Sequence, residues 1–335
     1  MSLVQSQTAG QPAGTLTLAF VGDILLADRI GDLVDREGAD APWGDVGPLL
    51  RQADLAFGNL ETSLGQGGRP QAGKAFTFQA NPDALLGLTH AGIDAVSLAN
   101  NHVLDYGVTG LQQTLKRLDR DGVAHTGAGA DQAAAFEPVI RDVGGIVIGF
   151  LSLSRVVPEG WAAGPNRAGV ASVYSETAAL RVVRETASRT DIMVVAIHWG
   201  DENQRLPQAP VQKLAHKLVE AGADLVIGHH PHVWQGLSAY KGALIAYSLG
   251  NFVFTTGSNP EGVETGVLEV EVGRSGVQGG RLLPARIRWG RTELAQPAEA
   301  EAFLKRIRGL SDLPIDAAGA FRLDPVGHPR TPLGG

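Results

Sequence analysis

The feature that most constrains this chain is a short apolar run that ends in a polar cluster, a pattern that occurs six times. Runs this short that are rich in Val, Ile and Leu are typical of buried strands. The sequence therefore predicts six such strands, at residues 15–21, 53–57, 95–99, 192–197, 224–227 and 243–247.

Helical segments lie between several of these strands. Apolar residues recur there at helical spacing, and Asn81-Pro82-Asp83 starts a further helix that ends near Gly92. Strands that alternate with helices favour an α/β fold with largely parallel strands. The amphipathic helices are predicted at residues 110–118, 174–187, 211–221 and 299–310.

One segment departs from this alternation. Residues 267–272 alternate between apolar and polar side chains, residues 273–280 are rich in turn formers, and residues 281–289 are again predicted to be extended. A hairpin-like edge of this kind predicts that the sheets are mixed.

The composition is ordinary for a globular protein and limits the possible partners. The 335 residues are 44% hydrophobic and 19% charged, which is enough to bury a large core in one domain or two. The net charge of −7 argues against a nucleic-acid partner, because such partners are bound by a basic excess. No cysteine is present, which excludes disulfides and thiolate zinc sites.

The two ends of the chain differ from its middle. Residues 1–14 are polar and lack the apolar core of a signal peptide, so we expect a disordered lead-in. Residues 15–310 are predicted to form a single domain, and residues 311–335 an extended tail. No apolar run approaches the roughly 20 residues of a membrane span. We expect a soluble chain, either cytoplasmic or exported with its signal missing from this sequence.

The polar clusters share one position, directly after each predicted strand. Open α/β sheets bind ligands beyond the carboxyl ends of their strands, so we expect the clusters to converge on one edge. Imidazole and carboxylate groups together suit zinc, manganese, iron or cobalt. The candidate site residues are Asp23, Glu61, Asn101, His102, His198, His230 and His232.

Single polar residues also have simpler explanations. A lone histidine is more often solvated or hydrogen-bonded than a metal ligand, and we interpret four histidines in this way: His90, His125, His216 and His328. Some residues of the clusters could serve only as turn formers: Asp23, Gly58-Asn59 and Gly250-Asn251. The pair His230 and His232 is a stronger signal, because alternate residues of an extended turn can direct two imidazoles at one metal.

The order of the motifs resembles that of the bacterial capsule-synthesis protein family, the CapA or poly-γ-glutamate biosynthesis type. The resemblance spans about residues 15 to 256 and depends on six motifs that agree in order. They are Gly22-Asp23, Gly58-Asn59-Leu60-Glu61, Ser97 to His102 with Asp105-Tyr106-Gly107, His198-Trp199-Gly200 with Glu202, Gly228 to Val233, and Ser248 to Phe252.

That family is similar in turn to the calcineurin-like metallophosphoesterases, so the resemblance implies a four-layer α/β/β/α sandwich around a metal site. It implies metal ligation by Asp23, Asn101, His198, His230 and His232, with Glu61, or less favourably Asn59, at the bridging position. His102 then resembles the histidine that works on the leaving group, and His229 is an additional residue beside the ligands.

The chain departs from the phosphoesterase pattern at two positions. Leu25 stands where a histidine is usual, and the bridging aspartate is replaced within Gly58-Asn59-Leu60-Glu61. These changes reduce the number of ligands on one metal. The expected cofactor is therefore one or two divalent ions of Mn, Fe, Zn or Mg.

Two functions follow from these residues. The first is a metal-dependent hydrolase of a phosphoester or similar anionic bond, with His102 catalytic and with Arg69, Lys74 or Arg155 steering the anion, unless these cations are ordinary surface charge. The second is a non-catalytic component of capsule polymer synthesis or export. The partner is an anionic small molecule in the first case and a polyanionic polymer in the second. A hydrolase should have a compact metal pocket, and a polymer binder an open cationic groove.

Overall fold

The computed structural model describes residues 14–255 and 259–323, and two large sheets dominate this part of the chain. The predicted lead-in, except Gly14, and the tail beyond residue 323 lie outside the described residues. The strands are β1 (Thr15–Ile24), β2 (Leu55–Leu60), β3 (Ser63–Leu64), β4 (Gln79–Ala80), β5 (Ala95–Ser97), β6 (Ala124–Thr126), β7 (Ala128–Gly129), β8 (Val139–Val143), β9 (Ile146–Ser154), β10 (Gly169–Val170), β11 (Ile192–His198), β12 (Leu225–His229), β13 (Leu237–Tyr240), β14 (Ala243–Ala246), β15 (Asn251–Val253), β16 (Glu264–Gly273), β17 (Gly276–Arg288), β18 (Arg291–Leu294) and β19 (Ala320–Arg322).

The helices alternate with the strands over much of the chain, as the spacing of apolar residues predicts. No helix of the described residues is both long enough and apolar enough to cross a membrane. The α-helices are α1 (Asp28–Glu37), α2 (Gly47–Leu50), α3 (Leu85–Ala91), α4 (Gly107–Asp121), α5 (Gln132–Ala135), α6 (Glu176–Ala187), α7 (Ala209–Glu220) and α8 (Pro297–Leu310); short 3-10 helices occupy Ala41–Trp43, Pro82–Ala84 and Pro260–Val263.

Both large sheets are mixed, as predicted. The first has the order β18-β17-β16-β1-β2-β5-β6, with β15 beside β1 and β19 beside β17. Its strands β1, β2, β5 and β6 are parallel, and β16 is antiparallel to β1. The second has the order β13-β14-β12-β11-β9-β8, with antiparallel strands only at its two edges.

Successive side chains of a strand point to opposite faces of its sheet, and the buried apolar side chains accordingly form three cores. On β1, Leu18 and Phe20 point between the two sheets, whereas Ala19 and Val21 point to the opposite face. That opposite face packs against α1, α3 and α4. The second sheet likewise packs its outer face against α6 and α7. The layers are therefore helix, sheet, sheet and helix, which confirms the expected four-layer sandwich.

The hairpin formed by β16 and β17 begins earlier than the sequence predicts. The turn-rich residues 276–280 belong to β17, which pairs with β16 on one side and with β19 on the other. Gly280 allows this close pairing, because a Cβ there would lie 2.1 Å from the carbonyl oxygen of Glu269. The glycines are therefore part of a tightly paired strand.

The six polar clusters divide between the two sheets, so the expectation of a single sheet edge is wrong in that respect. Three clusters lie at the carboxyl ends of β1, β2 and β5 in the first sheet, and two lie at the carboxyl ends of β11 and β12 in the second. The sixth crosses between the sheets: Leu249 donates to the carbonyl of Gly228 in β12, and Asp23 in β1 donates to the carbonyl of Gly250. This crossing places the carboxyl ends of both sets of strands together.

Candidate metal centre

Five strand ends supply the side chains of one cluster at the carboxyl ends of both sheets. Asp23 lies in β1, Glu61 directly follows β2, and His198 ends β11. Asn101 follows β5, and the loop after β12 carries His230 and His232. The structure therefore brings together all six residues that the resemblance suggests as ligands.

Asp23 is the fully buried carboxylate on the β1 side of the cluster. Its Oδ1 accepts a hydrogen bond from Asn59 Nδ2 at 2.9 Å and lies 3.2 Å from His229 Nδ1, while its Oδ2 lies 3.2 Å from His232 Nδ1. Burial alone would raise the pKa of Asp23, but the hydrogen bonds and charges of His229 and His232 hold it well below its usual range. Asp23 is therefore ionised.

Glu61 is the second fully buried carboxylate. Asn59 Nδ2 lies 3.4 Å from its Oε2, and His198 Nε2 lies 3.6 Å from its Oε1, which has no hydrogen-bond partner. Burial, together with the negative charge of Asp23, raises the pKa of Glu61 well above its usual range. A buried carboxylate with an unsatisfied oxygen is costly unless a cation lies beside it.

His198 lies between Glu61 and Asn101. Its Nε2 is 3.0 Å from Asn101 Oδ1, and its ring centroid is 4.7 Å from that of His230. Burial and the charge of His230 lower the pKa of His198 well below its usual value. The imidazole is therefore neutral, which is the form that ligates metals.

The loop after β12 holds His230 and His232 in an uncommon backbone conformation. Their φ angles are 94° and 57°, in the region that non-glycine residues seldom occupy, and such positions concentrate at functional sites. Burial and the charge of His232 lower the pKa of His230 to about 3. Burial also acts to lower the pKa of His232, but the charges of Glu61 and Asp23 outweigh it and raise that pKa to about 9.

The donor set fits a divalent metal. Two groups of three residues place one ligand atom each within 4.8 Å of one another: Asp23, Glu61 and His198 in the first, and Glu61, His230 and His232 in the second. Besides Glu61 Oε1, the buried His230 Nδ1 also has no hydrogen-bond partner. Carboxylate and imidazole groups whose donor atoms lack a hydrogen-bond partner suit zinc, manganese or iron as ligands.

His102 lies beside this cluster and contacts a different set of residues. Its Nδ1 lies 2.7 Å from Asp105 Oδ2 and 3.0 Å from Lys74 Nζ, and Lys74 also donates to Asp105 Oδ1 and to the carbonyl of Asn101. Burial lowers the pKa of His102, and the hydrogen bond and charge of Asp105 partly oppose this effect. Asp105 therefore orients the ring and leaves Nε2 as the nitrogen available for other contacts.

A cavity of about 620 Å³ opens next to the cluster. Three of its lining residues belong to the site or touch it, namely His102, His232 and Asn251, and Asn251 Oδ1 lies 2.9 Å from His232 Nδ1. The other lining residues in the described chain are aromatic, acidic or polar, or glycine, and none is a lysine or arginine: Asp28, Phe76, Phe78, Glu202, Asn203, Phe254, Thr255, Asn259 and Gly262.

The sequence missed several residues that organise this site. Asp105 was part of a motif but had no predicted role, and Asn251 was interpreted only as a possible turn former. Asn100 holds its loop by accepting from the backbone of His102 and Val103. Asn100 and Asp105 lie in the loop after β5 and Asn251 begins β15, so their places within the polar motifs are the signal that could have identified them. Of the three cations proposed to steer an anion, Lys74 contacts the site, whereas Arg69 and Arg155 are exposed and do not line the cavity.

The histidines that were interpreted as ordinary contact other residues. His90 Nδ1 lies 2.8 Å from Asp40 Oδ1, His125 Nδ1 lies 3.2 Å from the carbonyl of Val123, and His216 stacks on Tyr240 with 3.9 Å between ring centroids. These three lie outside the cluster. His328 lies outside the described residues.

Comparison with known families agrees with the motifs. The model of the family described as "Bacterial capsule synthesis protein PGA_cap" matches residues 17–256. The chain belongs to this family. That match includes every residue of the cluster, and it confirms the resemblance stated from the sequence.

Curated relatives from two bacilli are similar over most of the chain. The PGA biosynthesis protein CapA of Bacillus subtilis is 34% identical over 244 residues, which cover 72% of this chain and 64% of the relative. The capsule biosynthesis protein CapA of Bacillus anthracis is 32% identical over 248 residues, covering 72% and 60%. The chain thus spans about three fifths of the length of these relatives.

Two solved structures show a weaker likeness. The NAD nucleotidase of Haemophilus influenzae is 12% identical, with a TM-score of 0.48 over 91% of this chain and 57% of that one. A putative 5'-nucleotidase of Staphylococcus aureus is 16% identical, with a TM-score of 0.48 over 87% and 58%.

Proposed function

We propose that this member of the capsule-synthesis family is a metal-dependent hydrolase of phosphoester or similar anionic bonds. One observation supports this most strongly: two groups of three side chains that can ligate metal share Glu61 at the strand ends. In this site a carboxylate oxygen and an imidazole nitrogen are buried without a hydrogen-bond partner. Six residues would hold one or two divalent ions: Asp23, Glu61, Asn101, His198, His230 and His232. When bound, such an ion supplies an activated water and neutralises charge on the substrate.

The side chains of the protein would position the ligands and protonate the leaving group. Asn59 donates to Asp23 and lies within hydrogen-bond distance of Glu61, so it would hold both carboxylates in position. Asp105 would hold His102 by Nδ1, so that Nε2 would protonate the leaving oxygen. Lys74 ties the loop before β4 to Asp105 and to the backbone of Asn101.

The second candidate is a non-catalytic binding component of capsule polymer synthesis or export. It is supported by the names of the relatives, which include a probable polyglutamine synthesis accessory protein of Mycobacterium tuberculosis that is 34% identical over 226 residues. The cavity favours the hydrolase, because its described lining includes two carboxylates and no lysine or arginine, whereas a polyanion would need an open cationic groove.

An assay of phosphoester hydrolysis tests the proposal. The protein is stripped with a chelator and assayed on generic aryl phosphates, first alone and then with Mn, Fe, Zn or Mg added. We expect turnover to appear only with added metal and to be lost again on chelation. Folded, metal-loaded protein that hydrolyses no ester, but binds a poly-γ-glutamate chain, would favour the second candidate.

A further inference from the structure

We propose that the cavity beside the metal centre holds the group attached to the scissile bond, and that this group is a flat apolar ring without negative charge. The inference rests on the proposed function and narrows its substrate class. The anionic part of the substrate would lie at the metal, while the ring would occupy the cavity of about 620 Å³.

Aromatic side chains flank the cavity next to two of the functional histidines. The ring of Phe78 lies 4.6 Å from that of His102, and the ring of Phe254 lies 4.9 Å from that of His232. Phe76 stacks on Phe78 at 6.5 Å and is 70% exposed. A phenylalanine this exposed at the mouth of a pocket offers a face on which a planar ring can stack.

Hydrogen bonds and an ion pair hold both walls of the cavity. On one wall, Asn259 donates to the side chain of Asn203, and behind this wall Arg205 pairs with Glu261, although neither of these two lines the cavity. On the other wall, the backbone of Phe78 donates to Asp105 at 2.6 Å. These contacts hold three lining residues, Asn203, Asn259 and Phe78, before a ligand enters, which favours binding of a rigid ring.

The charge around the cavity disfavours an anion. Asp28 and Glu202 both line it. Lys74 does not offset this charge, because its ammonium group is directed at Asp105. With His232 held at the metal, a segment of polyglutamate in this cavity would face the carboxylates of Asp28 and Glu202, and no lysine or arginine lines the described part of the cavity.

The test uses three phenyl phosphates that differ only in a meta substituent carried on a methylene group: a carboxylate, a hydroxyl or a trimethylammonium. The methylene keeps the leaving groups of the carboxylate and hydroxyl esters similar, so that the difference between these two esters reports binding in the cavity. With metal-loaded protein at low salt, we expect the carboxylate ester to show kcat/KM about 5- to 10-fold below the neutral ester, and the cationic ester to equal or exceed the neutral one. The difference should shrink at high salt.

Two variants identify the residues that cause the difference in kcat/KM between the esters. Glu202→Gln should bring the carboxylate ester to within about twofold to threefold of the neutral one, because one of the two exposed charges is removed. Phe76→Ala should raise KM for the neutral ester about 2- to 10-fold with little change in kcat. The matched controls are Glu301→Gln, on the exposed face of α8, and Trp289→Ala, an aromatic residue 97% exposed at a hairpin tip; neither lines the cavity.

Binding of the corresponding non-hydrolysable phosphonates, measured by calorimetry on the metal-loaded protein, separates this inference from the proposed function. The same order of affinity without turnover of any ester would support the cavity assignment and contradict hydrolysis. Turnover with equal or better use of the carboxylate ester, or an unchanged KM in Phe76→Ala, would overturn the cavity assignment and leave hydrolysis in place.

Discussion

Glu61 is the side chain that both candidate ligand groups share. The resemblance left the bridging position open between Glu61 and Asn59. The contacts favour Glu61, because the Asn59 amide donates to Asp23 and approaches Glu61, as an outer partner of ligands would. An amide that donates through its nitrogen orients a carboxylate but offers no charge to a metal.

We predict that Glu61→Gln loses metal binding more severely than Asn59→Ala. The glutamine removes the shared negative charge, whereas the alanine removes only supporting hydrogen bonds, whose loss typically costs about 10- to 100-fold in affinity. Calorimetric titration with manganese measures both variants, with Glu301→Gln as the exposed control. Equal affinity of Glu61→Gln and wild type would remove Glu61 from the site.

Substitution of His102 can distinguish a role in catalysis from a role in metal binding. We expect His102→Ala to keep its metal and to lose about 10²- to 10⁴-fold in turnover, because the leaving oxygen is no longer protonated. The loss should be smaller for an ester with a good leaving group, which needs less protonation. If His102 only caps the loop before Asp105, the variant would instead melt at a lower temperature and show no dependence on the leaving group.

A variant His102→Ala with unchanged metal content, melting temperature and rate would contradict the catalytic assignment altogether. His102→Gln serves as the comparison, because it keeps polar contact within the loop but cannot act as an acid near neutral pH. We expect it to be as slow as the alanine variant.

At the level of elements, the sequence predicted the strand ends well because they depend on local pattern. A run such as residues 192–197 has to be buried, and the His198 that follows it has to lie at the end of its strand. The division of the strands between two sheets depends on long-range pairing, such as that of β1 with both β15 and β16, and the runs themselves carry no signal of it. The contacts of Lys74 could not be predicted from the sequence either, because its loop has no periodic pattern.

The segment that crosses between the two sheets after β14 packs closely against β12, and a glycine substitution can test this contact. A Cβ on Gly228 would lie 1.9 Å from the carbonyl oxygen of Tyr247 and 2.6 Å from Trp199 Nε1. Gly228→Ala should therefore destabilise the protein by about 3 kcal/mol or more, since two strands would have to separate. In contrast, Gly309→Ala in α8, where a Cβ meets nothing within 4 Å, should stabilise by up to about 1 kcal/mol.

Denaturant unfolding of the two glycine variants measures these changes directly. The comparison controls for the loss of backbone freedom that every glycine replacement brings. Equal stability of Gly228→Ala and wild type would mean that β12 and the Tyr247 segment are further apart than the structure places them.

At the scale of the whole molecule, three apolar cores hold the layers together without any contribution from the metal centre. We therefore expect metal removal to leave the protein folded, unlike a zinc finger, and to lower its melting temperature. Saturation at about 100 times the dissociation constant should stabilise the folded state by about 2.7 kcal/mol per site. Circular dichroism melts with and without chelator measure this difference.

The same reasoning applies to His230→Ala and His232→Ala. Each variant should lose metal affinity, remain folded and show a melting temperature that responds less to added metal than that of the wild type. Unfolding of both variants at room temperature would show that these histidines are needed for the fold itself.

Anomalous diffraction from crystals loaded with manganese or zinc would locate the metal ions. We predict one or two ions, each bonded to Glu61, with ligand distances of about 2.0–2.2 Å to carboxylate oxygen and imidazole nitrogen in the zinc case. The other bonded atoms should come from Asp23, Asn101, His198, His230 and His232. Ions that bind only elsewhere on the chain, with this cluster empty at saturating metal, would show that these six residues do not form a metal site.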